Sequence, residues 1–223
     1  LLNFLFRGLN RLAPSLLMVV ILVFLVRFFF VSPYQYDRFE QSIAPSLYFY
    51  SNLYFWSKDS YFSDSTKFDF LVHTWSLSIE VQFYLALAIL YLLLQYFSSA
   101  FKWKLIFLAM AVSFFLAIYF NERSPSASFY MPPTRFWEFL VGALAFRAYV
   151  YVNNAGYRNH LVPYIGLAVI CISFGVFDDT YISPGIISLV PVLGAAISLI
   201  FMQSLSLPNS YMTYMLLSIF GSL

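Results

Sequence analysis

The residues with chemistry to offer lie where a plain membrane anchor has no use for them. In the stretch FLVHTWSLSIEVQFYLALAILYLLLQYF, residues 70–97, the second half is apolar. The first half carries His73, Thr74, Trp75, Ser76, Ser78, Glu80, Gln82 and Tyr84. A helix turns about 100° per residue, which sets His73, Glu80 and Tyr84 on one face with Ser76 nearby, and puts His73 and Glu80 about 10 Å apart along it. Arg135 and Glu138 have the i, i+3 spacing of a same-face pair. A carboxylate assists or orients a base, and an arginine stabilises developing negative charge or binds a polar substrate. The His73–Tyr84 face is therefore read as lining a polar site inside a membrane bundle. Each residue also has a structural reading. His73 serves as a helix-start residue, Asp69 or Thr74 as a cap, and Glu80 with Arg135 as an interhelical bridge. Trp75 and Trp137 suit an interfacial belt.

The rest of the chain supplies the helices that hold these groups. Of 223 residues, 61% are hydrophobic and 10% charged, with a mean hydropathy of +0.78. Soluble domains average about 25% charged residues, so the composition predicts an all-α, multi-pass transmembrane bundle. A net charge of +2 says nothing about nucleic acid, but the chain shows no basic patch of the kind its binding requires, and no nucleic-acid partner is expected. The lone Cys171 sits in an apolar run and reads as inert core. One cysteine and two histidines make a metal site improbable. Residues 1–223 read as a single transmembrane domain with spans near 12–31, 70–97, 105–120, 134–152, 161–177, 184–202 and 211–223. The segment 43–56 is too short to span comfortably and reads as a re-entrant or interfacial helix. Asp37, Arg38 and Glu40 read as a loop. The chain opens on Leu1 and closes on Leu223, both in apolar sequence, and is expected to be truncated at both ends.

Charge tests this layout. With the Arg7/Arg11 end in the cytoplasm, the cytoplasmic segments hold six cations and no acid. The outer ones hold four cations against eight acids. That asymmetry obeys the positive-inside rule and requires 43–56 not to cross. It also places His73, Glu80, Arg135 and Glu138 towards the outer side.

The string His73-Thr74-Trp75-Ser76-Leu77-Ser78-Ile79-Glu80, running on through Gln82-Phe83-Tyr84-Leu85, resembles the signature of membrane acyltransferase family 3, the integral membrane O-acyltransferases. Arg11-Leu12-Ala13-Pro14 resembles that family's basic, proline-ended helix entry. Ser51-Asn52-Leu53-Tyr54-Phe55-Trp56 resembles its aromatic segment. Pro133-Thr134-Arg135-Phe136-Trp137-Glu138-Phe139 with Gly142-Ala143 resembles its second strong motif, and Pro184-Gly185 with Pro191-Val192-Leu193-Gly194-Ala195 a later one. The first motif and the Arg135 motif are specific, and the likeness runs in order along nearly the whole chain.

The resemblance implies a bundle of about ten helices that transfers an acyl group, commonly acetyl, from cytoplasmic acyl-CoA to a hydroxyl of a carbohydrate or lipid acceptor. Acyl-CoA is then a co-substrate, with no tightly bound cofactor, and membrane lipids surround the bundle. Arg7 and Arg11 are the expected donor-binding residues, with Gly8 standing where members often carry another arginine. Glu80 and His73 are the catalytic candidates. Arg135, Glu138, Trp75 and Tyr84 are candidates for binding the acceptor or for structural pairing. The family's catalytic histidine lies on an early helix, upstream of Leu1, so the piece by itself is expected to be inactive. The alternative is a non-catalytic scaffold or transporter-like relative that keeps the bundle without the chemistry.

Overall fold

The structure is a computed structural model that describes residues 2–30, 33–58, 69–177 and 184–202. The segment 58–69, expected as a polar loop, lies outside the described residues except for its two ends, as do the loop expected at Asp178 and Asp179 and the last expected span, 211–223. Among the described residues the secondary structure is helical throughout. In chain order the helices are α1 Leu2–Phe30, α2 Pro33–Leu47, α3 Ser51–Lys58, α4 Thr74–Leu94, α5 Ser99–Arg123, α6 Pro125–Tyr130, α7 Pro132–Asn154, α8 Val162–Val176 and α9 Leu189–Ile200. Three of these have stretches long and apolar enough to cross a membrane: Asn3–Leu25 within α1, all of α4, and all of α5. At 1.5 Å per residue, α4 is about 31 Å long, one hydrocarbon core. The chain is a membrane protein of all-α class.

Two compact units share the chain. One comprises residues 1–102 with 126–132, the other 103–125 with residues from 133 onward. In the first, α1 and α4 run antiparallel. Phe4 and Gly8 meet Tyr84, Arg11 meets Glu80, and Leu16 and Val20 pack into one apolar cluster with Leu71 and Leu77. Phe39 of α2 completes that cluster. A second cluster joins Phe55 of α3, Val72 and Tyr130, with Trp75 and Phe129 packed against it.

Several boundaries differ from the sequence reading. Helix α1 begins at Leu2, ten residues before the expected span, so Arg7 and Arg11 lie within it and Pro14 is interior. A membrane helix tolerates such a proline because neighbouring groups re-satisfy the freed backbone. Asp37, Arg38 and Glu40, expected in a loop, belong to α2. Segment 43–56 is two helices. α2 ends in a Schellman-type turn in which Phe49 N–H donates to the Ser46 carbonyl (3.2 Å) and Tyr50 N–H to the Pro45 carbonyl (2.9 Å). Phe49 occupies the left-handed position at φ 56°. Helix α7 closes with the same pair of bonds, and there the left-handed residue is Gly156 at φ 70°. Helix α5 starts at Ser99 and reaches Arg123, taking in residues 99–104 and 121–123 that read as loops, and α9 begins only at Leu189.

In the second unit α8 and α9 pack through small residues. A Cβ added at Gly166 would lie 2.5 Å from the Gly194 carbonyl oxygen. Glycine is what allows that approach. Ser198 fastens the pair by donating to the Pro163 carbonyl (3.0 Å). Cys171, read as core, is exposed on α8.

Candidate functional site

Helix α4 places its polar residues on two faces. Glu80 and Tyr84, one turn apart, face α1. There Arg11 Nη2 donates to Glu80 Oε1 and to the Tyr84 hydroxyl (2.5 Å), and Tyr84 donates its own proton to Glu80 Oε1. The three groups close a triangle in which the phenol is both donor and acceptor. Charge-assisted bonds of this kind are about twice as strong as neutral ones. Among the described residues both contacts to the carboxylate fall on Oε1, which leaves the lone pairs of Oε2 for a further donor. The side chains of Arg11 and Glu80 are 36% and 24% exposed, so the pair is reachable from outside the unit.

Arg7 behaves differently. It sits one turn before Arg11, is exposed, and donates to the Asn3 carbonyl of its own helix (3.1 Å), towards the N-terminal end. The two arginines read together from the sequence therefore divide. Arg11 is committed across to α4, and Arg7 stays at the end of α1. His73 stands just before α4, exposed and offering no capping bond. It shares a face with Glu80 but lies about 10 Å away along the axis, outside the triangle. Asp69, one of the two residues read as a cap, is buried and accepts from Leu71 N–H (3.1 Å).

The opposite face of α4 was only half visible in the sequence. Thr74 Oγ1 bonds Ser46 (2.8 Å) and Ser51 (3.0 Å), and Ser78 bonds Ser51 (2.7 Å). Gln82 and Asn52 join side chain to side chain, Nε2 to Oδ1 at 2.8 Å. Gln82 also donates to the Phe49 carbonyl (2.9 Å), and Asn52 to the Tyr130 carbonyl (3.1 Å). Ser46, Ser51, Asn52 and Ser78 are wholly buried. The polar residues of α4 announced this network. Its partners Ser46, Ser51 and Asn52 did not, although Ser51-Asn52 lay within the weaker family-like segment.

In the second unit Arg135 Nη1 and Glu138 Oε2 pair at 3.6 Å, as their spacing implies. Their helix is anchored by Ser113 of α5. Its hydroxyl donates to the Pro133 carbonyl (2.5 Å) and accepts from Trp137 N–H (2.9 Å), inserting itself into the first turn of α7. Trp137 is 1% exposed and packs on Phe114, so it is core and not belt. In the first unit Trp75 likewise packs inward, on Phe129 (4.5 Å) and Tyr130 (5.9 Å).

Comparison with known proteins identifies a family. The family described as Acyltransferase domain matches residues 1–223, the whole chain. An uncharacterized protein of Haemophilus influenzae is 28% identical over 146 residues, a match that covers 62% of this chain and 59% of that protein. No solved structure matches.

Proposed function

The chain belongs to the acyltransferase family that matches it from end to end, and from that premise we propose that it is the membrane core of an O-acyltransferase working from acyl-CoA. The transferred group is acetyl, and the acceptor is a hydroxyl of a carbohydrate or lipid. In the reaction the thioester C–S bond breaks and an ester C–O bond forms. The hydroxyl proton ends on the CoA sulfur. The observation that carries the proposal is the Arg11–Glu80–Tyr84 triangle, a charged cluster held between two spanning helices with one carboxylate oxygen still open. A spanning helix tolerates such groups mainly where they do work or pair.

In this reading Glu80 Oε2 receives the acceptor hydroxyl and orients it for proton removal, which is general-base assistance. Arg11 and Tyr84 hold the carboxylate in place. The exposed Arg7 meets the donor phosphates at the N-terminal end of α1, which the charge asymmetry assigns to the cytoplasm. Since α1 and α4 are antiparallel, His73 then lies towards the outer face and contacts the incoming acceptor. Arg135, paired with Glu138, is the further cation proposed for binding acceptor.

The test uses the intact protein in its native membrane, with labelled acetyl-CoA on the cytoplasmic side and extracted glycans and lipids as the readout. Label in wild type that is lost in Glu80→Gln at equal protein level is the expected result. Equal label in both removes Glu80 from the mechanism. Wild type that transfers neither acetyl nor longer acyl groups leaves the scaffold reading.

A further inference from the structure

We infer that Ser113 is a positioning residue for the acceptor: its hydroxyl, inserted into the first turn of α7, sets where Arg135 and Glu138 stand. The inference deepens the proposed function and rests on its reading of Arg135 as a cation that binds acceptor. Across residues 105–118 of α5 every residue but Ser113 is apolar. That one side chain is buried and directs both its donor and its acceptor at α7. It gives its proton to the Pro133 carbonyl (2.5 Å) and takes a bond from Trp137 N–H (2.9 Å). These backbone groups are four residues apart, the carbonyl and amide that an α-helix pairs with each other. A hydroxyl both gives and accepts, so it can serve the two at once and tie the turn to α5 at two points.

Arg135 lies between those two points and Glu138 just after the second, so the backbone that carries both is the backbone Ser113 holds. Arg135 Nη1 and Glu138 Oε2 stand 3.6 Å apart, beyond the roughly 2.7–3.2 Å of an N–H···O hydrogen bond. Contact between those atoms does not lock the two side chains together, and the turn they grow from has the larger say in where they stand. Next to Ser113, Phe114 packs edge-on against Trp137 with 5.1 Å between ring centroids. That contact contributes buried apolar area, which has no direction. The hydroxyl supplies direction. Its bonds are made at one placement of the turn, and a binding group has to be held to within about 0.5 Å.

The experiment uses the intact protein in its native membrane. The extracted glycan and lipid fraction that takes label in wild type is titrated at fixed labelled acetyl-CoA, and acetyl-CoA is then titrated at fixed acceptor fraction. The variants are Ser113→Ala, Ser113→Thr, Phe114→Leu and Arg135→Gln, each also followed by thermal inactivation. Ser113→Ala is expected to raise the half-saturating amount of acceptor fraction by about fivefold, the scale of one neutral hydrogen bond, with the KM for acetyl-CoA unchanged. Ser113→Thr keeps the hydroxyl and brings half-saturation back to within about twofold of wild type. Phe114→Leu lowers thermal stability and leaves half-saturation where it was. An equal shift in Phe114→Leu, or a matching rise in the KM for acetyl-CoA, makes Ser113 a packing residue and overturns the inference. So does a Ser113→Ala variant that loses only thermal stability. Where Ser113→Ala does not accumulate, Ser113→Cys, close in size and a weak donor, is read in its place, and failure of both overturns the inference too. Arg135→Gln separates the two levels, since it should raise half-saturation at least as far as Ser113→Ala. If it does not while Ser113→Ala does, the reading of Arg135 is what fails, and the inference falls with it.

Discussion

The two faces of α4 use polar residues in opposite ways. Towards α1, Glu80 and Tyr84 make a charged cluster that is partly exposed, with an oxygen of the carboxylate left over. Towards α2 and α3, Thr74, Ser78 and Gln82 make a neutral network whose members bond one another and nearby carbonyls. The neutral face can be sealed because hydroxyls and amides both give and accept, so a ladder of them satisfies itself with little left over. A carboxylate only accepts and a guanidinium only donates. Desolvating such a pair is expensive, and this one stays partly open. The lesson is that the number of polar groups on a membrane helix does not mark a site. What separates the two faces is charge together with incomplete burial.

The largest effect expected from this division is on chemistry. Glu80→Gln keeps shape and hydrogen bonding but removes the charge, and it should lower transfer per folded protein by about 100-fold or more. Gln82→Leu, two residues before Tyr84 and on the other face, should leave the kcat of the folded fraction within about twofold while lowering stability. A Gln82 variant whose folded fraction is as inactive as Glu80→Gln would break the comparison, because both faces would then serve the reaction.

Next in size is the ion pair. Arg11→Met alone leaves Glu80 without its cation inside a spanning helix, a loss on the order of 3 kcal/mol for a buried pair and less here because both side chains are partly exposed. Arg11→Met combined with Glu80→Leu removes both charges and should regain most of that stability without regaining activity. Thermal inactivation in detergent, read with transfer, decides it. A double variant no more stable than Arg11→Met would mean that the arginine stabilises α1 for another reason.

On the neutral face, Asn52→Leu removes the bond to the Tyr130 carbonyl and both amide–amide bonds to Gln82. Unmade buried bonds of this kind cost about 1–3 kcal/mol. The expected outcome is a lower midpoint in a detergent melt with kcat of the folded fraction unchanged, and the loss should exceed that of Ser78→Ala, a single hydroxyl worth about 0.6 kcal/mol in a membrane protein. Equal losses would argue that the network is not cooperative.

How much of this was written in the sequence follows the same division. The span of α4, the residues of its charged face and the pairing of Arg135 with Glu138 are local properties of spacing, and all were legible. The extension of α1 back past Arg11 and Arg7 was not. Arg7 and Arg11 read as interfacial charges, and only Glu80, 69 residues away, makes an arginine tolerable inside the span. The close packing of Gly8 against Tyr84 gave no local sign either, since the ring belongs to another helix. The division of 43–56 into α2 and α3 was hidden for a different reason. A helix that ends in a left-handed residue usually announces it with glycine, as α7 does at Gly156, and here the residue is Phe49.

Phe49 supplies the smallest and sharpest test. Left-handed backbone costs a side-chain-bearing residue about 1–2 kcal/mol. The ring offsets this by packing on the cluster of Leu16, Val20, Phe39 and Leu71. The position also aims a carbonyl at Gln82, so the strained turn is what brings an acceptor to the neutral face. Phe49→Ala and Phe49→Gly both delete the ring, and their difference isolates the backbone. Glycine should be the more stable of the two by about 1 kcal/mol, the reverse of the order within a helix. Both should lie below wild type, with transfer by the folded fraction unchanged. Alanine matching glycine would show that the turn relaxes once the ring is gone, and the neutral network would then owe its geometry to the Phe49 side chain more than to the turn.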